Sequence, residues 1–242
     1  MKQDQTSEAE EDRKELEILL AALLVAQAYR VSEKLAALMT ALPGQITMTA
    51  DELAAAAFEL EIEINIMASA VRPFLGREAG RAITAMQMDY GVGGDVTVTS
   101  EFIRDLLQAQ ESRFARDISD TSVRHIRDQI AEGIANGETY YQLRERILGY
   151  YDRQMQWRAG LAAQFEPALA YESVKNAMAL AQGMTHKTWN TMRDDGVCSF
   201  CRSNEAAGTI PIEQAFPSGD ATPPNHPQCR CFTSWSMASE QT

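Results

Sequence analysis

All four cysteines of this chain fall in its last fifth, between Lys187 and Trp235, and they come in two close pairs. Cys198 and Cys201 form a C-x2-C unit; after a long loop come Cys229 and Cys231, inside the run His226-Pro227-x-Cys229-x-Cys231. Five of the eight prolines (Pro211, Pro217, Pro223, Pro224 and Pro227) lie in the same stretch. A segment so rich in loop residues buries too little apolar surface to hold itself and needs a cross-link. Two short cysteine pairs brought together from the ends of a loop supply what tetrahedral zinc takes.

Two ligand sets satisfy that chemistry. His226-x2-Cys229 repeats the spacing of the first pair and gives three thiolates with one imidazole. Alternatively Cys229 and Cys231, two apart on an extended strand, project to one side and give four thiolates. Cys198, Cys201 and Cys229 belong to both sets. A zinc ion closed by four protein ligands has no open position, so its expected role is structural. The three prolines Pro223, Pro224 and Pro227 stiffen the approach to the second pair and lower the entropy lost on closing the loop. Arg202 and Arg230, beside candidate ligands, are placed to offset thiolate charge or to sit in solvent.

Composition bounds the partners. The net charge is −12, which leaves no overall basic footprint for a phosphate backbone. Direct sequence-specific nucleic-acid binding is therefore not expected. No apolar run approaches the ~20 residues of a membrane span, so no membrane partner is expected either. The acidic start, MKQDQTSEAEEDRKE, is unlike a secretory signal. In a reducing cytoplasm, clustered cysteines favour metal over disulfide.

The preceding 180 residues read as helix. Residues 1–10 suggest a disordered acidic tail. Leu24, Val31 and Leu38 recur every seven residues, with Ala28, Leu35 and Leu42 four further on, a helical seam that ends at Pro43-Gly44. Such a seam packs in a bundle or mediates self-association through the N-terminal helices. Thr49-Ala50-Asp51-Glu52 has capping-box spacing. The run Glu59–Ile66 alternates like a strand, but Leu53, Leu60, Ile64, Met67 and Val71 also fit helical spacing, and the alanine-rich flanks favour helix. Pro73 and Gly76 are expected to break or bend it, with helix resuming to Tyr90. Ser100 starts a helix carrying Phe102, Leu106, Leu107 and Phe114, and a second start is expected at Asp120 or Thr121. Thr139-x-x-Gln142 is another capping box, and a last long helix is expected over 152–182 with a kink at Pro167. The aromatic residues Tyr140, Tyr141, Tyr150, Tyr151 and Trp157 at helical spacing suit core packing better than a ligand platform. Strands are expected at 187–191, 209–212 and 232–235.

The fold class expected is mainly α: an elongated helical bundle followed by a small zinc-stapled α+β C-terminal domain. In order along the chain, this gives a tail (1–10), an N-terminal helical region (11–119), a helical part of the C-terminal half (120–185), a zinc-binding cap (186–236) and a final tail (237–242). No catalytic residue is assigned. A cysteine nucleophile with His226 or His186 as base can be drawn, but no orienting carboxylate is evident. Asp194, Asp195 and Glu205 read as turn and surface acids, and His125 as an ordinary helix histidine.

The C-terminal stretch resembles the Mu F-like minor head, or head morphogenesis, proteins of tailed phages. The likeness rests on Lys187 and Trp189; the turn Arg193-Asp194-Asp195-Gly196; Val197-Cys198-x-x-Cys201; Gly208; Phe216-Pro217; and Pro223-Pro224-x-His226-Pro227-x-Cys229-Arg230-Cys231. Upstream, the family's Arg-Ala-x-x-Ile-Ala-Arg-Thr-Glu helix corresponds to Arg158-Ala159 and then Ala162-Ala163-Gln164-Phe165-Glu166, with Gln164-Phe165 in place of the central Arg-Thr. The likeness covers roughly residues 120–235. It implies a non-enzymatic minor capsid protein, present in few copies, that binds the portal protein or a scaffold or major capsid protein during head assembly and resides in the virion. It also implies a part in DNA packaging or ejection. Acidic charge suits work beside packaged DNA. The other readings are a phage-encoded enzyme or toxin-type protein using a Cys/His site, and a cytosolic zinc-binding adaptor.

Overall fold

A computed structural model describes residues 2–41 and 48–237 of the chain. The described residues form six helices and three short strands: α1 (Lys2–Ala41), α2 (Ala50–Ala57), α3 (Leu60–Tyr90), α4 (Glu101–Ala135), α5 (Tyr140–Ala181), β1 (His186–Asn190), α6 (Ser199–Ala206), β2 (Thr209–Pro211) and β3 (Phe232–Ser236). The protein is thus mainly helical, with a small C-terminal sheet. No helix among the described residues is long and apolar enough to cross a membrane.

Local sequence chemistry explains the helix starts. Thr49 caps α2 and Glu52 reaches back to the Thr49 backbone, which completes the capping box. Thr139 N donates to Gln142 at 2.8 Å and Gln142 N donates to the Thr139 hydroxyl at 3.4 Å, the same device at the start of α5. Residues 60–66, ambiguous by pattern, are helical.

Several breaks expected from the sequence do not occur. The acidic stretch read as a disordered tail is helical from Lys2. α3 continues through Pro73 and Gly76, although proline removes one backbone bond and crowds the carbonyl four residues back, at a cost of about 3 kcal/mol. Packing on both sides of the proline offsets this: Val71, Phe74 and Leu75 are buried, and Arg72 forks onto Glu111 at 2.8 and 2.6 Å. α4 does not restart at Asp120 or Thr121. The Ser122 hydroxyl donates to the Ile118 carbonyl inside the continuing helix, so the polar run needs no break. α5 likewise runs unbroken from Tyr140, with Gly149 and Pro167 inside it. Pro43-Gly44 and Leu42 lie outside the described residues.

The chain forms two compact units that interleave in sequence. One unit collects Lys14–Arg72 and Glu111–Gly160; the other collects Met1–Arg13, Pro73–Gln110 and Leu161–Thr242.

In the first unit the α1 seam is core. Leu16, Leu20, Leu24, Ala28, Val31 and Leu35 are buried, alongside Leu53, Met67, Phe114, Ile126, Ile130, Leu143 and Ile147. Leu38 is only half-buried. A polar chain threads this core. Arg30 forks onto Glu63 at 2.7 and 2.7 Å, Gln27 Nε2 donates to Glu63 at 3.0 Å, and the Tyr151 hydroxyl donates to Gln27 Oε1 at 3.1 Å. A buried carboxylate paired and hydrogen-bonded in this way fixes which faces of α1, α3 and α5 meet. Of the aromatic residues expected in the core, Tyr151 is buried, whereas Tyr141 and Trp157 are exposed.

In the second unit a cluster of Ala82, Ile83, Met86, Ile103, Val174, Met178 and Met184 also takes in Ile212 and Trp235 from the C-terminal segment. The sheet has strand order β2-β1-β3, antiparallel throughout. Alternation sends Lys187 and Trp189 inward opposite Trp235 and Thr233, and His186, Thr188 and Asn190 to the other face. The outer edge of β3 is closed by side chains: Thr233 N donates to Glu172 at 2.9 Å and Trp235 N to the Tyr90 hydroxyl at 3.3 Å. β2 is three residues long and ends on Pro211. Neither edge invites another strand.

Candidate metal centre

The second half of the cap folds around a few large residues. Trp189, Cys201, Ile210 and Phe216 form its buried cluster, with Val197, Cys198, Cys229 and Cys231 packed against them. Trp189 and Phe216 meet edge to face at 5.1 Å. Lys187, almost wholly buried, donates to the Ala221 carbonyl at 2.8 Å and lies over the Phe216 ring at 5.1 Å; burial holds its pKa below the ordinary lysine value. These contacts bring the proline-rich loop back over β1.

The first cysteine pair sits at a helix start. Cys198 is the N-cap of α6, and its sulfur accepts the Cys201 backbone N–H at 3.4 Å. A helix N-terminus favours a thiolate there. The second pair arrives through a turn in which Cys229 N donates to the His226 carbonyl at 3.2 Å and Gln228 takes φ 66°. His226 Nδ1 lies 2.7 Å from the Pro227 carbonyl. A carbonyl only accepts, so Nδ1 carries the proton and Nε2 presents its lone pair to the sulfurs.

The five candidate donors fall into two groups that share Cys201. Cys198, Cys201 and His226 have their ligand atoms within 4.8 Å of one another, as do Cys201, Cys229 and Cys231, and either group can hold a metal ion. Cys201, buried, belongs to both. His226 Nε2 is 3.1 Å from Cys198 Sγ and 3.5 Å from Cys201 Sγ, and the Cys201 and Cys229 sulfurs are 3.7 Å apart. The four cysteines are free thiols. Among the described residues no such group includes His125 or His186. His125 stacks on Tyr150 at 5.0 Å, and His186 contacts the Thr185 hydroxyl at 2.9 Å.

The sulfurs shift one another's acidity in opposite directions. Cys229 is pulled down to about 5, chiefly because the Cys231 thiol donates to it. Burial, and the proton that Cys201 shares with Cys198, push Cys201 up to about 12. One sulfur thus takes the negative charge and its neighbours keep their protons to support it. The buried indole nitrogen of Trp189 has no hydrogen-bond partner; it lies beside Cys231, whose thiol is pushed well up by its bond to Cys229 and by burial, with the indole opposing. A thiolate at Cys231 would provide what that N–H lacks.

A supporting ring was not foreseen from the sequence. Arg230, between the two distal cysteines, forks onto Asp194 at 2.7 and 2.7 Å. This joins the turn before the first cysteine pair directly to the second pair. The fork needs Gly196: a Cβ there would lie 2.6 Å from Arg230 Nη2. Glu205, read as a surface acid, accepts from the Thr191 hydroxyl at 2.8 Å and from Arg193 at 3.1 Å. Asn225 accepts from the Cys201 thiol at 3.4 Å. Arg202, by contrast, donates to the Val197 carbonyl at 3.0 Å. The Asp-Asp-Gly turn was visible in the sequence, but its partner lies 36 residues away and no local pattern marks it.

Residues 124–234 match a family model described as Phage Mu protein F like protein. The chain carries a phage Mu protein F-like region. No curated protein and no solved structure matches it. The Mu F-like region begins inside α4, ends in β3 and takes in all five candidate donors, the Asp194–Arg230 fork and all of the sheet but the last two residues of β3. It also includes the upstream helix of the resemblance. There Arg158 Nη2 donates to the Ile118 carbonyl and the Ser122 hydroxyl, both at 3.1 Å, and the buried Glu166 offers its carbonyl to Gln110 at 2.8 Å.

Proposed function

We propose that this chain is a minor structural protein of a tailed-phage head. It acts during head assembly through contacts with the portal protein or with a scaffold or major capsid protein, and stays in the virion in few copies. The match of residues 124–234 to the Mu F-like family carries this reading. The closed character of the cysteine cluster supports a structural rather than catalytic role: Cys201 is buried, four of the five donors suffice to fill a tetrahedral shell, and no open coordination position is then left to activate a water. A part in DNA packaging or ejection belongs to the same reading.

The metal fits zinc. Two sulfurs bound at about 2.3 Å with tetrahedral angles sit about 3.8 Å apart, and a bound sulfur and imidazole nitrogen about 3.5 Å apart. The Cys201–Cys229 and Cys201–His226 separations are 3.7 and 3.5 Å, while Cys198 and His226, at 3.1 Å, lie closer than a shared tetrahedral ion would set them. Cys198, Cys201 and Cys229 would hold the ion with His226 or Cys231 as the fourth ligand.

The decisive experiment co-expresses the chain with the portal and major capsid proteins of the genome it comes from, then purifies assembled heads and counts the chain by quantitative mass spectrometry. A few copies per head, retained through a density gradient, is the expected result. Heads that assemble without the chain, and contain none when it is present, overturn the proposal.

A further inference from the structure

Strand parity settles which side chain faces Cys231. This residue stands immediately before β3, and in the register of the sheet Trp189 pairs with Thr233. Side chains alternate along a strand, so Cys231 shares the inward face of Thr233 and Trp235 and lies diagonally across from Trp189. Cys231 accordingly packs against the buried cluster that holds Trp189, with its sulfur beside the indole.

Trp189 is wholly buried, and its indole N–H has no partner. An indole nitrogen only donates, and a buried donor left without an acceptor is both rare and costly. A neutral thiol is a weak acceptor. A metal-bound thiolate carries charge and lone pairs, and charged acceptors make the stronger hydrogen bonds. Coordination of Cys231 would therefore satisfy a group that the free thiol leaves unpaired.

The spacing of the donors agrees. Cys201, Cys229 and Cys231 have their sulfurs within 4.8 Å of one another. Within that trio the Cys201–Cys229 pair, at 3.7 Å, is close to the ~3.8 Å of two sulfurs on one tetrahedral zinc. His226 is placed differently. Its Nε2 lies 3.1 Å from Cys198 Sγ, a hydrogen-bond spacing shorter than the ~3.5 Å of a sulfur and an imidazole nitrogen on one ion. Its Nδ1 is held by the Pro227 carbonyl at 2.7 Å. With a proton on each nitrogen, the ring donates to both partners and sets a positive charge beside the thiolates.

We propose that Cys198, Cys201, Cys229 and Cys231 are the four ligands, that the Trp189 indole N–H donates to the Cys231 thiolate and positions it, and that His226 stands outside the shell against Cys198. The assignment rests on the zinc reading above and narrows it to one ligand set.

The test uses the full chain loaded with zinc. X-ray absorption at the zinc edge is expected to count four sulfur neighbours and no imidazole, and metal analysis of the same sample separates two failures. Zinc bound by three sulfurs and one nitrogen overturns this assignment and leaves the zinc reading standing; a chain that binds no zinc overturns both. His226→Ala should keep four sulfurs, whereas Cys231→Ser should fall to three with the His226 nitrogen in the fourth position. Loss of a nitrogen neighbour in His226→Ala overturns the assignment.

The part played by Trp189 is read in the chain loaded with cadmium-113. A scalar coupling between the metal and one indole proton is expected, since an N–H···S–Cd hydrogen bond transmits it and mere packing does not. The chain has three tryptophans. Trp189→Phe should abolish the coupling and lower zinc affinity by about tenfold, while Trp157→Phe, at an exposed site, should change neither. An affinity loss in Trp189→Phe without any coupling in the parent marks a packing role alone and overturns the positioning role.

Discussion

The unit of Lys14–Arg72 and Glu111–Gly160 and the cap of residues 186–236 reach order by different routes. In the helical unit the apolar stripe of α1 alone buries six side chains, Leu16, Leu20, Leu24, Ala28, Val31 and Leu35, and the polar chain from Arg30 to Tyr151 adds specificity to a core that is already sufficient. In the cap the strands have three to five residues. Its buried cluster has four members, one of them the thiol Cys201. On the proposed metal site, the cap's sulfurs would do the work that leucines do in the helices. One region is held by area removed from water; the other would be held by a few donors around one ion.

Removing the metal should separate the two regions most sharply. Chelator treatment, or Cys201→Ser, which removes the donor common to both groups, is expected to abolish backbone hydrogen-exchange protection across 186–236. Protection across Lys14–Arg72 should be left in place. Structural zinc sites contribute on the order of 10 kcal/mol to the folding of the segments they close, so this is the largest effect. Equal protection with and without metal would remove the distinction.

The mirror-image test is Leu24→Ala. A fully buried leucine truncated in a packed core costs about 3 kcal/mol, read as a lower denaturation midpoint, while metal affinity in a chelator competition stays as in the parent. Loss of metal on this substitution would show that the two regions are not independent in stability.

Five donors for four positions predict an asymmetry within the cap. His226→Ala and Cys231→Ser each leave the three donors common to both ligand sets, Cys198, Cys201 and Cys229, with a fourth beside them, so each should keep a tetrahedral cobalt(II) spectrum with affinity lowered by about tenfold or more. Cys198→Ser, Cys201→Ser and Cys229→Ser should lose that spectrum. If only one of His226 and Cys231 is tolerated, the other is the fourth ligand.

Gentler still is the fork that joins the two halves of the site. Arg230→Gln, or Gly196→Ala, which pushes the guanidinium away without touching a charge, should speed metal release several-fold. Exposed ion pairs add little to global stability, so the melt should barely move.

The smallest effect is a pH slope. Burial raises the Glu172 carboxyl, with Lys175 and the Thr233 N–H opposing. A folded-state pKa above the unfolded one means that the contribution is complete at low pH and is lost as pH rises through the folded value. The melting temperature of Glu172→Gln relative to the parent should therefore rise with pH, starting above about 4.5, the ordinary glutamate value. A flat difference would show that Lys175 fully compensates the buried charge.

Much of this was legible along the chain because it depends on near neighbours. Thr49 with Glu52, and Thr139 with Gln142, act over one helical turn. The strands around Trp189, Ile210 and Trp235 follow their own alternation, and the paired cysteines announce their shared purpose by spacing. What the sequence by itself determined is thus the helix caps, the three strands, the helical character of the first 180 residues, the candidate donors and the family likeness of the C-terminal half. Only the tertiary structure decided that α3 passes through Pro73, that α4 and α5 are each one helix, that the compact units draw on separated segments, and that Asp194 reaches Arg230. A proline's cost or a turn acid's charge is local and small. Whether it is outweighed depends on side chains brought from tens of residues away, and their energies enter only when the chain has closed on itself.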